Sequence, residues 1–199
     1  ASNVIAKPLA AWCGVPVRIN HDHCNDKLTD PRPWALPADR VTNRFSTHVI
    51  AVSGSTRRFV VDHEAVPAER TTTIHNGIDV GVYQPRPALR ADARRELGLR
   101  DDAIVVGGIG RLTYQKNFEL FVEVAAAIAP HYSQLCFAIA GTGEEMEALQ
   151  ELSAERGLGE RMRFLGFVGD MPLLYSAMDA LMLTSRYEGL PMTILEAMA

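Results

Sequence analysis

The sequence predicts an α/β protein built from doubly wound parallel sheets. From residue 104 onward, apolar strand-like runs alternate with helix-like runs whose apolar residues recur every three or four positions. Glycine-rich turns join strands to the helices that follow them, at residues 107–117, 141–144 and 165–170. Alternating strands and helices favour a parallel sheet with helices on both faces, whose ligands bind at the carboxyl ends of the strands.

The composition is that of an ordinary globular protein. The chain has 199 residues, 47% of them hydrophobic and 22% charged, which is enough for one large domain or two small ones. The net charge of −4 and the scattered basic residues argue against nucleic acid as a partner. No uninterrupted apolar run is long enough to span a membrane. The opening residues lack the charged start and apolar core of a signal peptide.

The cysteines indicate a reducing compartment. Cys13, Cys24 and Cys136 are widely spaced, odd in number and contain no C-x-x-C pair. They are most simply buried or free thiols, so we expect a cytoplasmic protein without a disulfide framework.

In the first half, three strand-like runs are separated by helices and loops. The strands are expected at residues 15–19 (VPVRI, read as buried), 48–52 and 71–74. Helices are expected at residues 2–12, around 40–46 and after Ser53, whose hydroxyl would cap the helix. Pro85 and Pro87 mark a linker over residues 85–93, so the predicted domains are 1–84 and 94–199.

In the second half, the strands and helices alternate regularly. The strands are expected at residues 104–109, 135–140, 162–165 and 180–183, and the helices at 117–129, 144–156 and near 171–178. Pro191 is expected at the first position of a last helix, where its missing N–H is tolerated. Asp170 is interpreted either as a helix N-cap or as part of an edge that binds a nucleobase.

Two cations follow the first glycine-rich junction, five residues apart. Gly108 and Gly110 let the backbone approach a ligand, and Arg111 and Lys116 together suit a diphosphate. Neither a dinucleotide fingerprint nor a P-loop is present, because Thr113 replaces the third glycine and no G-x-x-x-x-G-K-[ST] occurs. The alternative is a glycine turn with two solvated cations.

Two glutamates flank the start of the last helix. Glu188 lies in the loop before it and Glu196 inside it, with the free amides near Met192 and Thr193 between them. A helix N-terminus is suited to an anion, and the carboxylates could accept hydrogen bonds from a sugar and a ribose. The alternative is a pair of ordinary surface glutamates.

Five short motifs in register resemble the retaining glycosyltransferases of family 4. The motifs are His75-Asn76-Gly77-Ile78-Asp79, Gly110-Arg111-x4-Lys116, Ala140-Gly141-x-Gly143-x2-Met146, Phe164-Leu165-Gly166 and Glu188-Gly189-Leu190-Pro191-x4-Glu196-Ala197-Met198. The resemblance implies the GT-B fold, with parts of two Rossmann-like domains. Residues 1–84 would be the later part of the acceptor-side domain, and 94–199 a donor-binding domain without its last strands. The chain would then be a fragment of a longer enzyme.

The resemblance also implies site residues. Arg111, Lys116 and Glu188 match catalytic positions: the two cations would hold the donor diphosphate, and the glutamate would contact the donor sugar. The other matching positions would bind the donor, with Glu196 on the ribose and Val168 near the base: Gly108, Gly110, Val168, Leu190, Pro191, Met192, Thr193 and Glu196.

The implied function is metal-independent transfer of a sugar, with retention of configuration, from a nucleotide-sugar donor to a glycan or lipid-linked acceptor. No cofactor is expected, since the nucleotide-sugar is a substrate; a UDP-sugar is favoured over GDP-mannose. A lipid-linked acceptor would bring the protein to the inner membrane face. The alternative is a non-catalytic nucleotide-sugar-binding module or regulatory subunit, and a dehydrogenase is disfavoured by the glycine pattern.

Two histidines resemble a further element of such enzymes. The segment Arg18-Ile19-Asn20-His21-Asp22-His23 is similar to an R-I-x-H-x-H segment of bacterial capsule and exopolysaccharide transferases. His21 and His23 would point the same way on a strand and could line an acceptor cleft. The alternatives are ordinary loop histidines or a zinc site completed by Cys24 and Asp26, although that spacing matches no strong ligand pattern.

Overall fold

The computed structural model describes residues 2–24, 33–84 and 86–199, which form two compact units. The first unit comprises Ala1–Gly77 and Tyr187–Pro191, and the second comprises Ile78–Arg186 and Met192–Ala199. The chain thus leaves the first unit after Gly77 and returns to it for one short loop. The domain limits expected from the linker stay a prediction, and Pro85 lies outside the described residues.

The first unit contains a parallel sheet of three strands in the order β1-β2-β3. A helix precedes each strand in the chain. The strands are β1 (Ile19–Asp22), β2 (His48–Ala51) and β3 (Thr71–Thr73), and the helices are α1 (Ser2–Trp12), α2 (Ala35–Thr42) and α3 (Gly54–His63). The Ser53 hydroxyl accepts a hydrogen bond from the Thr56 amide at 3.1 Å, so the predicted cap of α3 is confirmed.

Two expectations for the first unit are wrong. The strand predicted as buried at residues 15–19 begins only at Ile19, and Val15, Val17 and Ile19 are 41%, 65% and 57% exposed. Among the described residues β1 pairs only with β2, so it lies at the edge of the sheet and its side chains are more exposed. An apolar run in the sequence does not show whether its strand is central or at an edge. The second helix was expected around residues 40–46 but spans Ala35–Thr42. It can begin earlier because Pro37 lies in its first turn, where proline is tolerated.

The second unit contains a four-stranded parallel sheet in the order β6-β5-β4-β7. The strands are β4 (Ile104–Ile109), β5 (Leu135–Ala140), β6 (Met162–Gly166) and β7 (Ala180–Leu181). The helices are α4 (Arg90–Glu96), α5 (Phe118–Ile128), α6 (Met146–Glu155), α7 (Met171–Ala177) and α8 (Met192–Met198). The strand order reverses between β4 and β7, and in such sheets this switch point opens a crevice for ligands.

The core of the second unit lies on both faces of its sheet. Alternate residues of β5 point into two apolar clusters: Cys136 and Ala138 join the cluster with Leu174, while Phe137 and Ile139 join that of the α5 and α6 helices. Burial on both faces explains why β4 and β5 read as continuous apolar runs, and it confirms the predicted doubly wound sheet.

No helix in the described ranges is both long and apolar enough to cross a bilayer. The same ranges hold no cluster of three or more His, Cys, Asp and Glu side chains arranged to ligate a metal ion. Among the thiols, Cys13 is exposed, Cys24 is partly exposed and Cys136 is buried, and no disulfide joins any of these three.

Candidate functional site

In the second unit, backbone hydrogen bonds join the loops that follow β4, β5 and β6. The Gly110 amide donates to the Ala140 carbonyl at 3.0 Å, and the Leu112 amide donates to the Thr142 carbonyl at 3.0 Å. The Gly141 amide donates to the Gly166 carbonyl at 2.7 Å. The three strand ends therefore form one continuous edge of backbone, at the position where parallel sheets bind ligands.

A cavity of about 250 Å³ opens at this edge. Its walls combine glycine backbone with apolar side chains, including Phe167, Val168 and Met171, and its polar side chains are Arg111 and Thr142. Phe167 is 81% exposed, so its ring is open to contact with a ligand. The cavity therefore offers an apolar surface for a flat ring beside the Arg111 side chain.

Two glycines of this edge are required for different reasons: one by the backbone of a neighbouring loop, the other by aromatic side chains. Gly141 has φ 146°, and a β-carbon there would lie 1.8 Å from the Gly110 carbonyl oxygen, so only glycine permits the loops to meet. Gly108 lies within β4, and its β-carbon would come within 2.8 Å of the Phe118 and Phe121 rings. Packing against α5 is thus one reason for a glycine at position 108, and its expected contact with a donor stays a prediction.

Arg111 and Lys116 occupy the loop after β4. Arg111 is exposed, lines the cavity and has no ion-pair partner within the described ranges. The Lys116 Cε atom lies 3.3 Å from the position that a β-carbon on Gly110 would take, so its aliphatic stem packs over that glycine. The loop ends at Asn117, which adopts the left-handed conformation with φ 52° and precedes α5. Packing and loop shape thus bring the two cations to the same edge.

The segment after β7 holds the Lys116 loop from the other side of the switch point. The Arg186 amide donates to the Gln115 carbonyl at 2.8 Å, and its guanidinium donates to Asn117 Oδ1 at 2.9 Å while stacking on the Tyr114 ring at 4.4 Å. The Thr184 hydroxyl donates to the Lys116 carbonyl at 3.2 Å. These bonds place Lys116 independently of any ligand.

Glu196 lies on α8, where two tyrosines contact its carboxylate. Tyr175 on α7 donates to Oε2 at 2.8 Å, and Tyr83 donates to Oε1 at 3.2 Å. Burial and the Glu196 carboxylate raise the pKa of the Tyr175 hydroxyl well above its usual range. The same hydroxyl lies 3.2 Å from the Thr193 carbonyl. The carboxylate is therefore already held by hydrogen bonds.

The residues around the start of α8 divide between the two units. The helix begins at Met192, so Pro191 precedes it rather than occupying its first position, a shift of one residue at a helix end. Met192 is 39% exposed, and the Thr193 hydroxyl is buried without a hydrogen-bond partner in the described part of the chain. Both belong to the second unit with Glu196, whereas Leu190 and Pro191 belong to the first.

Glu188 lies in the first unit, in the loop Tyr187–Pro191. A β-carbon on Gly189 would lie 2.0 Å from the His23 carbonyl oxygen, so this loop packs directly on the end of β1. Asn76 donates to the Leu190 carbonyl at 3.0 Å and fixes the other side of the loop. The structure therefore brings the Glu188 loop next to the two histidines that were singled out as acceptor-cleft candidates.

His21 and His23 lie on the same side of the chain, as strand alternation predicts, with ring centroids 4.0 Å apart. Burial lowers the pKa of His21, and the neighbouring His23 lowers it further, against an opposing effect of Asp22. The zinc alternative also involved Asp26, which lies outside the described residues.

Four residues of the site region were not expected from the sequence: Tyr83, Phe167, Tyr175 and Arg186. Nothing in the local sequence marks the two tyrosines, because their contact with Glu196 joins residues 113 and 21 positions apart. Phe167 stands in a G-F-V-G turn, where a large aromatic side chain without a core position was a usable signal. Asp170 was an open alternative, and its carboxylate accepts from the Leu173 amide at 3.0 Å as an N-cap.

These features define a class of protein with two parallel α/β units. One unit carries a glycine edge and two cations at its strand ends, and a tyrosine-held carboxylate on α8. Comparison with known proteins narrows the class. Residues 90–199 match the sequence profile described as glycosyl transferases group 1, and residues 4–82 match that of glycosyltransferase family 4. The chain therefore belongs to the family 4 glycosyltransferases of group 1, and its two units are parts of the Rossmann-like domains of the GT-B fold.

Individual relatives agree with this assignment. An uncharacterised glycosyltransferase of Methanocaldococcus jannaschii is 32% identical over 180 residues, covering 88% of this chain and 46% of its own length. The lipopolysaccharide core biosynthesis mannosyltransferase LpsB of Rhizobium meliloti is 36% identical over 156 residues, covering 76% of this chain and 42% of its own. The chain spans about half the length of the curated relatives it matches.

One solved structure covers almost the whole chain. HepE of Anabaena in complex with UDP-glucose superimposes with a TM-score of 0.84 at 28% identity, over 98% of this chain and 54% of that protein. The similarity spans both units, so each has a counterpart in that solved structure.

Proposed function

We propose that the full-length protein transfers a sugar from a nucleotide-sugar donor to a glycan or lipid-linked acceptor, with retention of configuration and without a metal ion. The observation that carries the proposal is the strand-end edge of the second unit, where Arg111 lines an apolar cavity and the Lys116 stem packs over Gly110 in the cavity wall. Family membership makes a nucleotide-sugar the natural ligand of that edge.

The two cations are suited to the diphosphate of the donor. Arg111 supplies a planar fork of donors, and Lys116 supplies a compact positive charge. When the bond between sugar and diphosphate breaks, negative charge grows on the departing nucleotide, and fixed cations stabilise that charge more in the transition state than in the ground state. Lys116, whose stem packs over Gly110 and whose loop is held by the Arg186 contacts, needs little reorganisation as the reaction proceeds.

The nucleoside would occupy the remainder of the edge. Val168 and the exposed Phe167 ring would cover the base in the cavity. Glu196, which lines a second cavity of about 280 Å³ together with Tyr83 and Tyr175, would accept hydrogen bonds from the ribose. The backbone near Gly110 and the segment Leu190–Thr193 would face the phosphate and sugar, and the buried Thr193 hydroxyl retains an unused hydrogen-bonding capacity. Gly108 would contribute indirectly, by allowing α5 to pack closely against β4.

Glu188, His21 and His23 would act on the sugar and the acceptor. The Glu188 loop packs on His23, so a carboxylate and two imidazoles belong to the same part of the first unit. Glu188 would hold the donor sugar, and the histidines would line the acceptor cleft. We propose that a short-lived oxocarbenium ion is attacked on the face that the nucleotide leaves, which retains the configuration without a covalent enzyme intermediate.

A UDP-sugar is the favoured donor, because the matched HepE structure contains UDP-glucose. GDP-mannose is the alternative, because LpsB is a mannosyltransferase. LpsB acts in lipopolysaccharide core synthesis, which supports a role in making a cell-surface polysaccharide or glycolipid. A lipid-linked acceptor would place the reaction at the cytoplasmic face of the inner membrane, with the protein bound at the membrane surface.

Calorimetric titration of the full-length protein with UDP- and GDP-sugars tests the proposal. We expect one donor class to bind, and Lys116→Ala to weaken binding by about 10- to 100-fold, the range of a lost charge-assisted hydrogen bond. Arg95→Ala is the matched control, because Arg95 is a 74% exposed cation on α4 whose only ion pair in the described chain is with Asp92. Binding of NAD without binding of any nucleotide-sugar would refute the assignment.

Linkage analysis of the product then separates an enzyme from a binding module. A glycosylated acceptor whose new bond keeps the anomeric configuration of the donor is the expected result. Donor binding without turnover on any lipid-linked or glycan acceptor would instead favour a non-catalytic nucleotide-sugar-binding subunit.

A further inference from the structure

We propose that Tyr175 and Tyr83 are positioning residues that orient the Glu196 carboxylate toward the vicinal diol of the donor ribose. The inference rests on the proposed function, because it assigns a role to groups around the ribose-binding carboxylate. Neither tyrosine belongs to the motifs on which the family resemblance depends.

The contacts come from two different elements. Tyr175 projects from α7 and reaches Oε2 of Glu196 at 2.8 Å, while Tyr83 lies in the segment before α4 and reaches Oε1 at 3.2 Å. The two rings meet edge to face, with centroids 6.0 Å apart. Each carboxylate oxygen therefore has its own donor, and the two donors support each other.

The arrangement leaves a defined capacity unused. An ionised carboxylate has about four lone-pair directions, two on each oxygen. Within the described part of the chain, the tyrosines are the side chains that donate to this carboxylate, one to each oxygen, so one direction on each oxygen is left for a ligand. Two adjacent hydroxyl groups, such as the 2′- and 3′-hydroxyls of a ribose, match this remaining pair of acceptors. A ligand with only one hydroxyl there would leave an acceptor unused.

The tyrosines can act only as donors toward this carboxylate. Burial raises the pKa of Tyr175, and the Glu196 charge raises it further, so the hydroxyl keeps its proton at any physiological pH. Tyr83 is shifted in the same direction by the same causes. The carbon–carbon torsion that turns a glutamate carboxylate has a broad energy profile, so without these donors the group would rotate freely.

Binding of UDP and of 2′,3′-dideoxy-UDP to the full-length protein tests the proposal, because the second ligand lacks the diol. We expect Tyr175→Phe to weaken UDP binding by about tenfold, the effect of losing the orientation of one charge-assisted pair. The same substitution should leave the dissociation constant of 2′,3′-dideoxy-UDP within about twofold of wild type. Tyr83→Phe should show the same selectivity with a smaller factor, because its bond is longer.

Tyr132→Phe is the matched control, since Tyr132 is 53% exposed and lies in the loop between α5 and β5. It should change neither constant. An equal loss for both ligands in the Tyr175 and Tyr83 variants would show a purely structural role and would overturn the inference. No change for either ligand would also overturn it.

The outcome for wild-type protein separates this inference from the proposed function. If wild type binds UDP and prefers it over the dideoxy analogue, the proposed ribose contact stands and the variants decide the role of the tyrosines. If wild type binds neither UDP nor any nucleotide-sugar, the proposed function fails and this inference fails with it.

Discussion

Gly141 is the single residue whose replacement the backbone geometry penalises most directly. Its φ of 146° is rarely adopted by residues with a side chain, and a β-carbon would lie 1.8 Å from the Gly110 carbonyl oxygen. We expect Gly141→Ala to lower the free energy of unfolding by at least about 2 kcal/mol, combining backbone strain with overpacking. Urea denaturation followed by circular dichroism measures the change.

The control for this substitution is Gly77→Ala, because no atom lies within 4 Å of the added β-carbon. That variant should stay within about 0.5 kcal/mol of wild type, as surface substitutions usually do. Equal stability of the two variants would contradict the close packing of the loops after β4 and β5.

The titration of His21 provides a second prediction for one residue. Burial lowers the pKa of His21, and the nearby His23 imidazole lowers it further. His23→Asn removes that neighbouring charge but keeps a polar side chain, so we expect the pKa of His21 to rise. Proton NMR titration of the imidazole resonances measures it. An unchanged or lower pKa would show that the 4.0 Å separation of the rings does not persist in solution.

The direction of this shift also determines how stability depends on pH. A histidine whose folded-state pKa lies below its unfolded value of 6.5 binds protons more readily in the unfolded state. Its contribution is therefore favourable above pH 6.5 and is lost as the pH falls through the folded pKa. In the His23→Asn variant this acid-side loss should be smaller.

For single residues, the sequence predicted interactions correctly where the partners are close in the chain. Ser53 caps a helix by bonding to an amide three residues later, and such bonds follow from spacing alone. Gly108 shows the limit of that reasoning: its expected contact with a donor stays a prediction, while the structure adds a close approach by two phenyl rings of α5. Sequence shows that a glycine permits a close approach and does not show what approaches.

At the scale of elements, Arg94 connects more of the second unit than any motif does. This α4 side chain is 1% exposed and donates to the carbonyls of Ala177, Asp101 and Ala103 at 3.1, 2.7 and 2.9 Å. It also pairs at 2.7 Å with Asp179, whose carboxylate accepts from the Val105 amide at 2.8 Å. One guanidinium thus joins α4, α7 and the start of β4.

We expect Arg94→Met to lower the free energy of unfolding by about 3–5 kcal/mol. Methionine fills much of the volume, but it leaves the buried Ala177 and Ala103 carbonyls, the partly buried Asp101 carbonyl and the partly buried Asp179 carboxylate with fewer donors. Thermal and urea denaturation measure the loss. Arg95→Met is the matched control, because Arg95 is 74% exposed, and it should change stability by less than about 0.5 kcal/mol. Similar losses in both variants would contradict this role of Arg94.

Comparing predicted and observed strand ends shows which strand boundaries can be predicted from the sequence. The bounds of β4 and β5 were predicted correctly, because both are buried on two faces and end at glycines or a change of polarity. The last strand was predicted as four residues but contains only Ala180 and Leu181. It pairs only with β4 among the described residues, and ladder length depends on the partner strand rather than on apolar character.

At the scale of the whole molecule, the division into two units could be anticipated, but the path of the chain could not. The loop Tyr187–Pro191 belongs to the first unit, although the residues on either side belong to the second. The contacts responsible are a Gly189 backbone packed on His23 and an Asn76 side chain on the Leu190 carbonyl, which joins residues 114 positions apart. Spacing within a motif does not encode partners at such distances.

A prediction for the whole molecule concerns which unit binds the nucleotide. Because Arg111, Lys116 and Glu196 belong to the second unit, we expect UDP to slow amide hydrogen exchange in that unit, in the loops at residues 110–117, 141–145 and 166–170. Peptides from β2 and α3 of the first unit should exchange at unchanged rates, which makes them internal controls. A ligand at about 100 times its dissociation constant stabilises the state it binds by about 2.7 kcal/mol, so the slowing should be large.

The Lys116→Ala variant shows whether the protection depends on the proposed diphosphate site. At the same UDP concentration, its weaker binding should remove most of the protection in all three loops together, because they are joined through backbone hydrogen bonds such as Gly110 to Ala140 and Gly141 to Gly166. Protection confined to β2 and α3 would place the nucleotide in the first unit. Protection that survives in Lys116→Ala would show that the diphosphate does not bind at the carboxyl end of β4, and it would contradict the proposed donor site.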